Sequence, residues 1–353
     1  MQANPILGIL FHGIGALSAS SCYTPQKKTT QWSWEVYWIT QACFAWFVFP
    51  IVFAFLTIPD YWHILTTADS GAMLRSFSLG VLYGIGGLTF GLGIKHIGFS
   101  LNYSIAIGIS AGLGTLLPLI WNPNDGFVWV IVEKFSSVPG WIVLIGIILS
   151  LVGIFFCGWA GALREKRNND SKRFSFKIGV PLAAIAGTLS AVYNFALLAG
   201  EPLEKAAVAN GASELLRMNA IYPFSNGGAL VASVIWCIYL IRKNSSAAQF
   251  VRLPQPNKGK LSFYYLMAML SGAFWYFQFF FYGMGHSNMG TRYGFTSWAL
   301  HMALLILFSN IYGTLFKEWT GADKQPVRIL RTGMALIVVA SIVIAFGNYL
   351  GEL

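Results

Sequence analysis

Charge is what this sequence has least of. Asp, Glu, Lys and Arg make up 10% of its 353 residues, while 56% are apolar; a soluble domain carries about 25% charged residues. A water-soluble globule is thereby excluded, and the chain reads as an integral membrane protein. Cysteine is scarce as well. Cys22, Cys43, Cys157 and Cys237 fall in apolar runs without metal-ligand spacing, so free thiols are expected, with no disulfide and no metal site. The opening MQANPILGIL lacks the basic region and cleavage pattern of a removable signal, so its apolar run is expected to remain as a membrane span. No HExxH, aspartate-rich pair, phosphate-binding glycine pattern or set of nucleophile, base and orienter occurs. The expectation is a protein that is not an enzyme, with no catalytic residues and no cofactor. No carboxylate lies at the centre of an apolar run, which removes a cation pathway built on carboxylate rings.

What is present is a series of apolar runs, each near the length of about 20 residues that crosses a bilayer as a helix. Ten are expected, near 5–24, 38–58, 74–94, 99–121, 139–160, 177–199, 218–241, 261–283, 294–316 and 329–350. The formal charge of +10 is distributed as a topology signal and not as a nucleic-acid surface. Eighteen Lys and Arg follow the odd-numbered spans and five follow the even-numbered ones. The positive-inside rule then puts the odd loops in the cytoplasm and both termini outside. Asp60, Asp69, Asp125, Glu133, Glu201, Glu204 and Glu214 fall in the loops expected outside.

Two loops are long and strongly basic, 164–177 and 242–260. The first follows span 5 and divides the chain into a five-helix half at 1–163 and a second at 178–353. An odd helix number per half forces opposite orientations in the membrane. GALSA at 15–19 matches GTLSA at 187–191, and SAGLGTL at 110–116 matches SNIYGTL at 309–315; both pairs link span n to span n+5. The expected fold is therefore all-α, ten transmembrane helices in a 5+5 inverted repeat. Gly80, Gly84, Gly87 and Gly91 share one helix face, as small residues do where helices approach in lipid. In YPFSNGG at 222–228, Pro223 and the glycine pair are expected to break the helix.

Amides, hydroxyls, histidines and rings recur at membrane depth: His12, Tyr23, Gln41, Asn102, Asn194, Asn226, Gln278, His301 and Asn310. Without central charge, such a set suits a neutral polyhydroxylated ligand, because an amide both donates and accepts and a ring offers apolar contact to a sugar's C–H face. The stretch WYFQFFFYGMGHS at 275–287 is the densest example. At about 100° per residue, Trp275, Gln278, Phe279 and Tyr282 share a face, joined by His286 if the helix persists. His12 and His301 sit at matching depth, near 10 Å at about 1.5 Å per residue, and are expected to be able to meet in one cavity. An intramembrane ionisable group is by default a functional-site hypothesis. Glu35 ends WSWE at the cytoplasmic start of span 2, close to Lys27 and Lys28, where it is either an interfacial ion-pair partner or a gating or proton site.

Five pieces carry a resemblance to a known family: GxxxHxIGAxSA at 8–19, KKxxxWSWE at 27–35, QFFFYxxGH at 278–286, SWxLHM at 297–302 and KEW at 317–319. The chain resembles the L-rhamnose/proton symporter family, a branch of the drug/metabolite transporter superfamily, along nearly its whole length. The resemblance implies a sugar permease of the bacterial inner membrane that imports L-rhamnose or a closely similar monosaccharide by alternating access. The proton is the expected coupling ion, with sodium as the alternative, and the lipid bilayer is the surrounding partner. Gln278, Trp275, Tyr282, His301, His12, Asn194 and Trp298 are the expected substrate contacts, and Glu35, His301 and His12 the expected coupling or gating residues. Gly87 and Leu198 stand where family members carry asparagine, and Glu201 where a lysine precedes the proline, so a changed sugar specificity is implied. A drug or metabolite exporter or exchanger on the same superfamily fold is the alternative reading.

Overall fold

A computed structural model of the chain describes residues 4–97, 99–120, 135–168, 175–255, 259–290, 294–317 and 319–352. Among the described residues there are helices and no strands. The long and intermediate helices are α1 (Pro5–Ser21), α2 (Trp34–Cys43), α3 (Phe49–Thr57), α4 (Tyr61–Thr67), α5 (Ser70–Ile97), α6 (Phe99–Ile120), α7 (Val138–Asn168), α8 (Phe176–Ala199), α9 (Glu201–Ala209), α10 (Tyr222–Asn244), α11 (Leu261–Asn288), α12 (Thr296–Leu315) and α13 (Lys324–Glu352). Eight helical stretches among the described residues are long and apolar enough to cross a bilayer, and the chain is an all-helical integral membrane protein. α6 contributes a shorter apolar stretch, Leu101–Leu117. α11 is long, but rings, Ser271, Gln278 and His286 dilute its apolar content. Asp125, Glu133 and residues 169–174 of the basic loop lie outside the described residues.

Three differences from the apolar-run reading have physical causes. α7 continues to Asn168, about 12 Å beyond the apolar run read as 139–160, because Arg, Glu and Lys are good helix formers. A π turn at Phe44–Val48 joins α2 to α3. It sits just ahead of Pro50, which has no N–H for the carbonyl four residues back, and a wider turn is how a helix absorbs such a gap. Pro223 does not break the helix around it. It occupies the first turn of α10, where a missing N–H costs nothing, and Gly227 and Gly228 continue as regular helix.

The chain forms two compact units. The first comprises Met1–Leu17, Gly86–Phe195 and Phe281–Leu353. In it α7 and α13 pack along much of their length, α6 packs on α7, and α12 packs on α6. The α7–α13 contact is made by glycines on both sides. A Cβ added to Gly153 would lie 3.0 Å from the Gly333 carbonyl oxygen, and one added to Gly333 2.9 Å from the Gly153 oxygen. In lipid, where apolar burial does not drive helices together, such small-residue faces give the close backbone approach that dispersion needs.

The second unit comprises Ser18–Ile85 and Ala196–Phe280. α10 packs on α2, the π turn and α3. Gly80 and Gly84 of α5 lie against Ser225 and Ala229 of α10, and Gly272 of α11 against the Gln41 carbonyl and Ala45 of the α2 segment. α11 supplies 261–280 to the second unit and 281–288 to the first.

Candidate functional site

Three rings from three helical segments meet in the first unit. His12 of α1 lies with its centroid 5.3 Å from Tyr282 of α11 and 5.7 Å from His301 of α12, and Tyr282 lies 5.3 Å from His301. The expected meeting of His12 and His301 is present. The approach of α1 to α11 depends on small residues: a Cβ on Gly285 would lie 2.8 Å from the His12 ring, and one on Gly8 would lie 2.9 Å from the Met289 sulfur. His12 is 0% exposed and His301 2% exposed. Among the described residues, none of their four ring nitrogens has a hydrogen-bond partner. Buried polar groups are nearly always bonded, and one left unmet costs about 1 to 3 kcal/mol.

Tyr282 extends the cluster in two directions. Its ring stacks on His286 with centroids 6.0 Å apart and meets Trp298 edge-on at 5.7 Å. α11 persists through His286, the condition for His286 to join that face. Trp298 is held from behind: its Nε1 donates to the Ser110 carbonyl at 2.9 Å and lies 3.3 Å from Ser110 Oγ, while Ser110 Oγ donates to Ser190 Oγ at 3.0 Å. Tyr193 packs on the same indole at 6.2 Å. Asn194 donates from Nδ2 to the Gly114 carbonyl at 2.7 Å, so half of this amide is engaged with α6 and its Oδ1 remains as an acceptor. Ser110, Ser190 and Tyr193 were not singled out from sequence, because a serine or tyrosine inside an apolar run has no signature until its partner helix is known.

In the second unit Trp275 sits among rings, with centroids 5.7 Å from Trp38, 5.7 Å from Trp46 and 5.9 Å from Tyr23. Trp38 Nε1 donates to Ser233 Oγ at 3.3 Å. The indole nitrogens of Trp46 and Trp275, and Gln41 Oε1, are buried without a partner among the described residues. Gln278, 8% exposed, shares the face of α11 that carries Trp275. Glu35 is 3% exposed and takes two bonds on one oxygen, from Asn244 Nδ2 at 3.0 Å and Ser246 Oγ at 2.7 Å. It ties the start of α2 to the end of α10.

Comparison with known proteins supplies the class. A family model described as L-rhamnose-proton symport protein matches residues 1–349. The chain belongs to this family. A protein of Mannheimia succiniciproducens named L-rhamnose-proton symporter is 34% identical over 348 residues, covering 98% of this chain and 99% of that one. Proteins of the same name from Pectobacterium atrosepticum and Escherichia coli are 33% and 32% identical, the first covering 98% of this chain and 99% of its own length, the second 97% of each. The family is one of symporters and not of enzymes, in line with the missing catalytic set.

The pieces that carried the family resemblance have distinct structural parts. His12 in the first and His301 in the fourth reach the three-ring cluster, as does Tyr282 in the third. The second piece, with Trp32 and Glu35, builds a clasp. Trp32 joins Val36, Tyr37, Leu253, Tyr264 and Ala268 in a buried cluster, and its Nε1 donates to the Gln249 carbonyl at 2.9 Å. The Ser33 backbone N–H donates to Gln249 Oε1 at 2.7 Å. Of the fifth piece, Trp319 lies under the Arg164 guanidinium at 4.7 Å, and residue 318 is outside the described residues.

Proposed function

We propose that this member of the L-rhamnose-proton symport protein family imports L-rhamnose, or a closely similar monosaccharide, across the bacterial inner membrane together with a proton, by alternating access. The observation that carries the reading is the His12, Tyr282 and His301 cluster, two buried imidazoles with four unmet ring nitrogens against a phenol ring. Two neutral imidazoles offer two donors and two acceptors, which matches sugar hydroxyls that both give and accept. Tyr282 and Trp298 supply ring faces for the apolar side of the sugar. Asn194, through Oδ1, and Gln278 and Trp275 of α11 are further proposed contacts.

The same imidazoles serve coupling. A proton taken up by either ring turns an acceptor into a donor, so the sugar that binds one protonation state more tightly also raises that state's population, by the reciprocity of linked binding. One charge moving through 100 mV is worth about 2.3 kcal/mol, and tenfold accumulation needs about 1.4 kcal/mol. One proton per sugar therefore supports more than tenfold accumulation. Glu35 is proposed as a gating residue, because its carboxylate holds two helix ends together.

The finer architecture belongs to the same proposal: ten spans in two inverted halves, 1–163 and 178–353, with 164–177 between them and both termini outside. Three observations support it. Span n packs against span n+5 in α7 with α13, α6 with α12 and α2 with α10. Each compact unit draws pieces from both halves. The glycine contacts recur at equivalent places, Gly80 of the first half against Ser225 of the second and Gly272 of the second half against Gln41 of the first. The orientation rests on the basic residues after odd spans.

The deciding experiment is uptake of radiolabelled L-rhamnose into proteoliposomes under imposed pH or sodium gradients, against a panel of other sugars. Accumulation that follows an inward proton gradient is expected. Accumulation driven by sodium alone, or none with any sugar, overturns the reading.

A further inference from the structure

Past the end of α8 the chain continues through Gly200 into α9, which carries Glu201, Glu204 and Lys205 in its first turns. Glu201 and Lys205 pair at 2.9 Å on the exposed side. Glu204 is 8% exposed, and its Oε2 lies 2.8 Å from Nε of Arg217. The same guanidinium donates from Nη1 to Glu214 Oε2 at 2.5 Å. One cation thus serves two carboxylates, and Glu204 is the more deeply buried of them.

Arg217 opens a 3-10 turn, Arg217–Ala220, to which three further helices are fastened. Asn219, 2% exposed, donates from Nδ2 to Thr57 Oγ1 of α3 at 2.9 Å. Its Oδ1 accepts from the Tyr276 hydroxyl of α11 at 3.3 Å. The Tyr61 hydroxyl of α4 donates to the Ala220 carbonyl at 2.9 Å. Tyr276 is the neighbour of Trp275 and lies two positions before Gln278, both proposed sugar contacts. A charge on Glu204 is therefore linked, through Arg217 and this turn, to the helix that carries them.

The elements packed most closely on α9 are the turn and α4. From α4 come Tyr61, whose hydroxyl is engaged, and His63, which is exposed. Arg217, Glu201 and Glu214 are the charges that act on Glu204. Burial raises its carboxyl, the guanidinium opposes this, and Glu201 and Glu214 raise it further, to about 7.

We propose that Glu204 is a further proton-binding residue of the transport cycle, on the side of the membrane expected outside: with a proton it fastens α9 to the Arg217–Ala220 turn, and without one it loosens that turn's hold on α11. The proton moves between water and a Glu204 oxygen, while Arg217 keeps its own protons and its bond to Glu214. A neutral carboxyl can stay buried beside the guanidinium, whereas a charged one is drawn towards water. The buried place binds the proton more tightly than an exposed one does. The fastening is thus complete below the usual carboxylate range and is lost as pH rises through about 7. Its part in the cycle rests on the proposed function, and its side on the orientation proposed there.

The test is hydrogen–deuterium exchange of the purified full chain in detergent, read by mass spectrometry over 213–221 in buffers either side of about pH 7. Each buffer is also run on Glu204→Gln, which imitates the protonated acid and cancels the intrinsic effect of pH on exchange. Exchange in the wild type is expected to match that variant in acid and to rise at least about tenfold above it in alkali, tenfold being the linkage of one pKa unit. Glu214→Gln leaves the guanidinium to Glu204, so its rise is expected to be smaller than the wild type's. Wild-type and Glu204→Gln exchange that superimpose at every pH, or a rise in Glu214→Gln as large as the wild type's, overturn the proposal. Glu214 is partly exposed, so this second comparison decides should Glu204→Gln fail to fold. L-rhamnose counterflow by the same proteins keeps the proton site apart from the sugar reading. Exchange that rises with pH in a chain without counterflow sinks the sugar and keeps the proton site, and counterflow without the rise does the reverse.

Discussion

His12 and His301 meet edge-on with ring centroids 5.7 Å apart, although 289 positions separate them in the chain. Tyr282 closes the triangle at 5.3 Å from each. We propose that the sugar and the proton supply bonds to these two buried imidazoles, since buried polar groups are nearly always partnered.

His301→Gln and His12→Gln keep a polar side chain but remove the titrating ring. Proton-driven accumulation of L-rhamnose is expected to be lost in each. Sugar counterflow, which needs binding and reorientation but no net driving gradient, is expected to persist. Loss of both activities in a well-folded variant would assign the ring to binding alone, and retention of both would remove it from the machinery.

Gln278 lies one helical turn before Tyr282 on α11. If its amide bonds a sugar hydroxyl, Gln278→Leu weakens sugar binding by about 1 to 3 kcal/mol, the cost of leaving a buried polar partner unmet. Abundance in the membrane is expected to stay near the wild-type level. Isothermal titration of the purified variant with L-rhamnose measures the effect, and an unchanged affinity would reject the contact.

Space around two glycines separates packing from opening. A Cβ on Gly285 falls 2.8 Å from the His12 ring, whereas nothing lies within 4 Å of one on Gly87. Gly285→Ala is therefore expected to displace His12, lowering stability by about 1 to 3 kcal/mol as overpacking does, and to reduce transport. Gly87→Ala is expected to fold like the wild type. Thermal unfolding of the two purified variants in the same detergent distinguishes them.

Much of this was readable from residue types, because membrane burial is written in composition. Sparse charge and repeated apolar runs disclosed the helices, and equal depth in two runs brought His12 and His301 together. Other features hinge on what faces what. Phe44–Val48 is as apolar as its surroundings, so a hydropathy pattern does not register the π turn there. Pro223 looked like a breaker because its position relative to the helix start was unknown, and in a first turn the same residue is favoured. Tyr282 was legible as a member of the Trp275 and Gln278 face, but its place beside both His12 and His301 depends on the crossing of α1, α11 and α12. Ser110 gains its part solely from the indole of Trp298 opposite.

Glu35 separates a structural tie from a proton carrier. Its hydrogen bonds from Asn244 Nδ2 and Ser246 Oγ both arrive on Oε1. Glutamine in its place keeps a carbonyl oxygen able to accept both, while alanine leaves the two donors without it. As a gating tie, Glu35→Gln should transport nearly as the wild type, with an uptake rate that follows pH along the same curve. Glu35→Ala should lose about 1 to 3 kcal/mol of stability and slow the cycle, since the start of α2 would no longer be fastened to the end of α10. A proton carrier predicts the opposite pattern for glutamine: binding retained and the pH dependence of uptake flattened. Initial uptake rate against pH for the wild type and both variants, with thermal unfolding of each, tells the roles apart. A flattened Glu35→Gln curve would move the coupling proton from the histidines to this carboxylate.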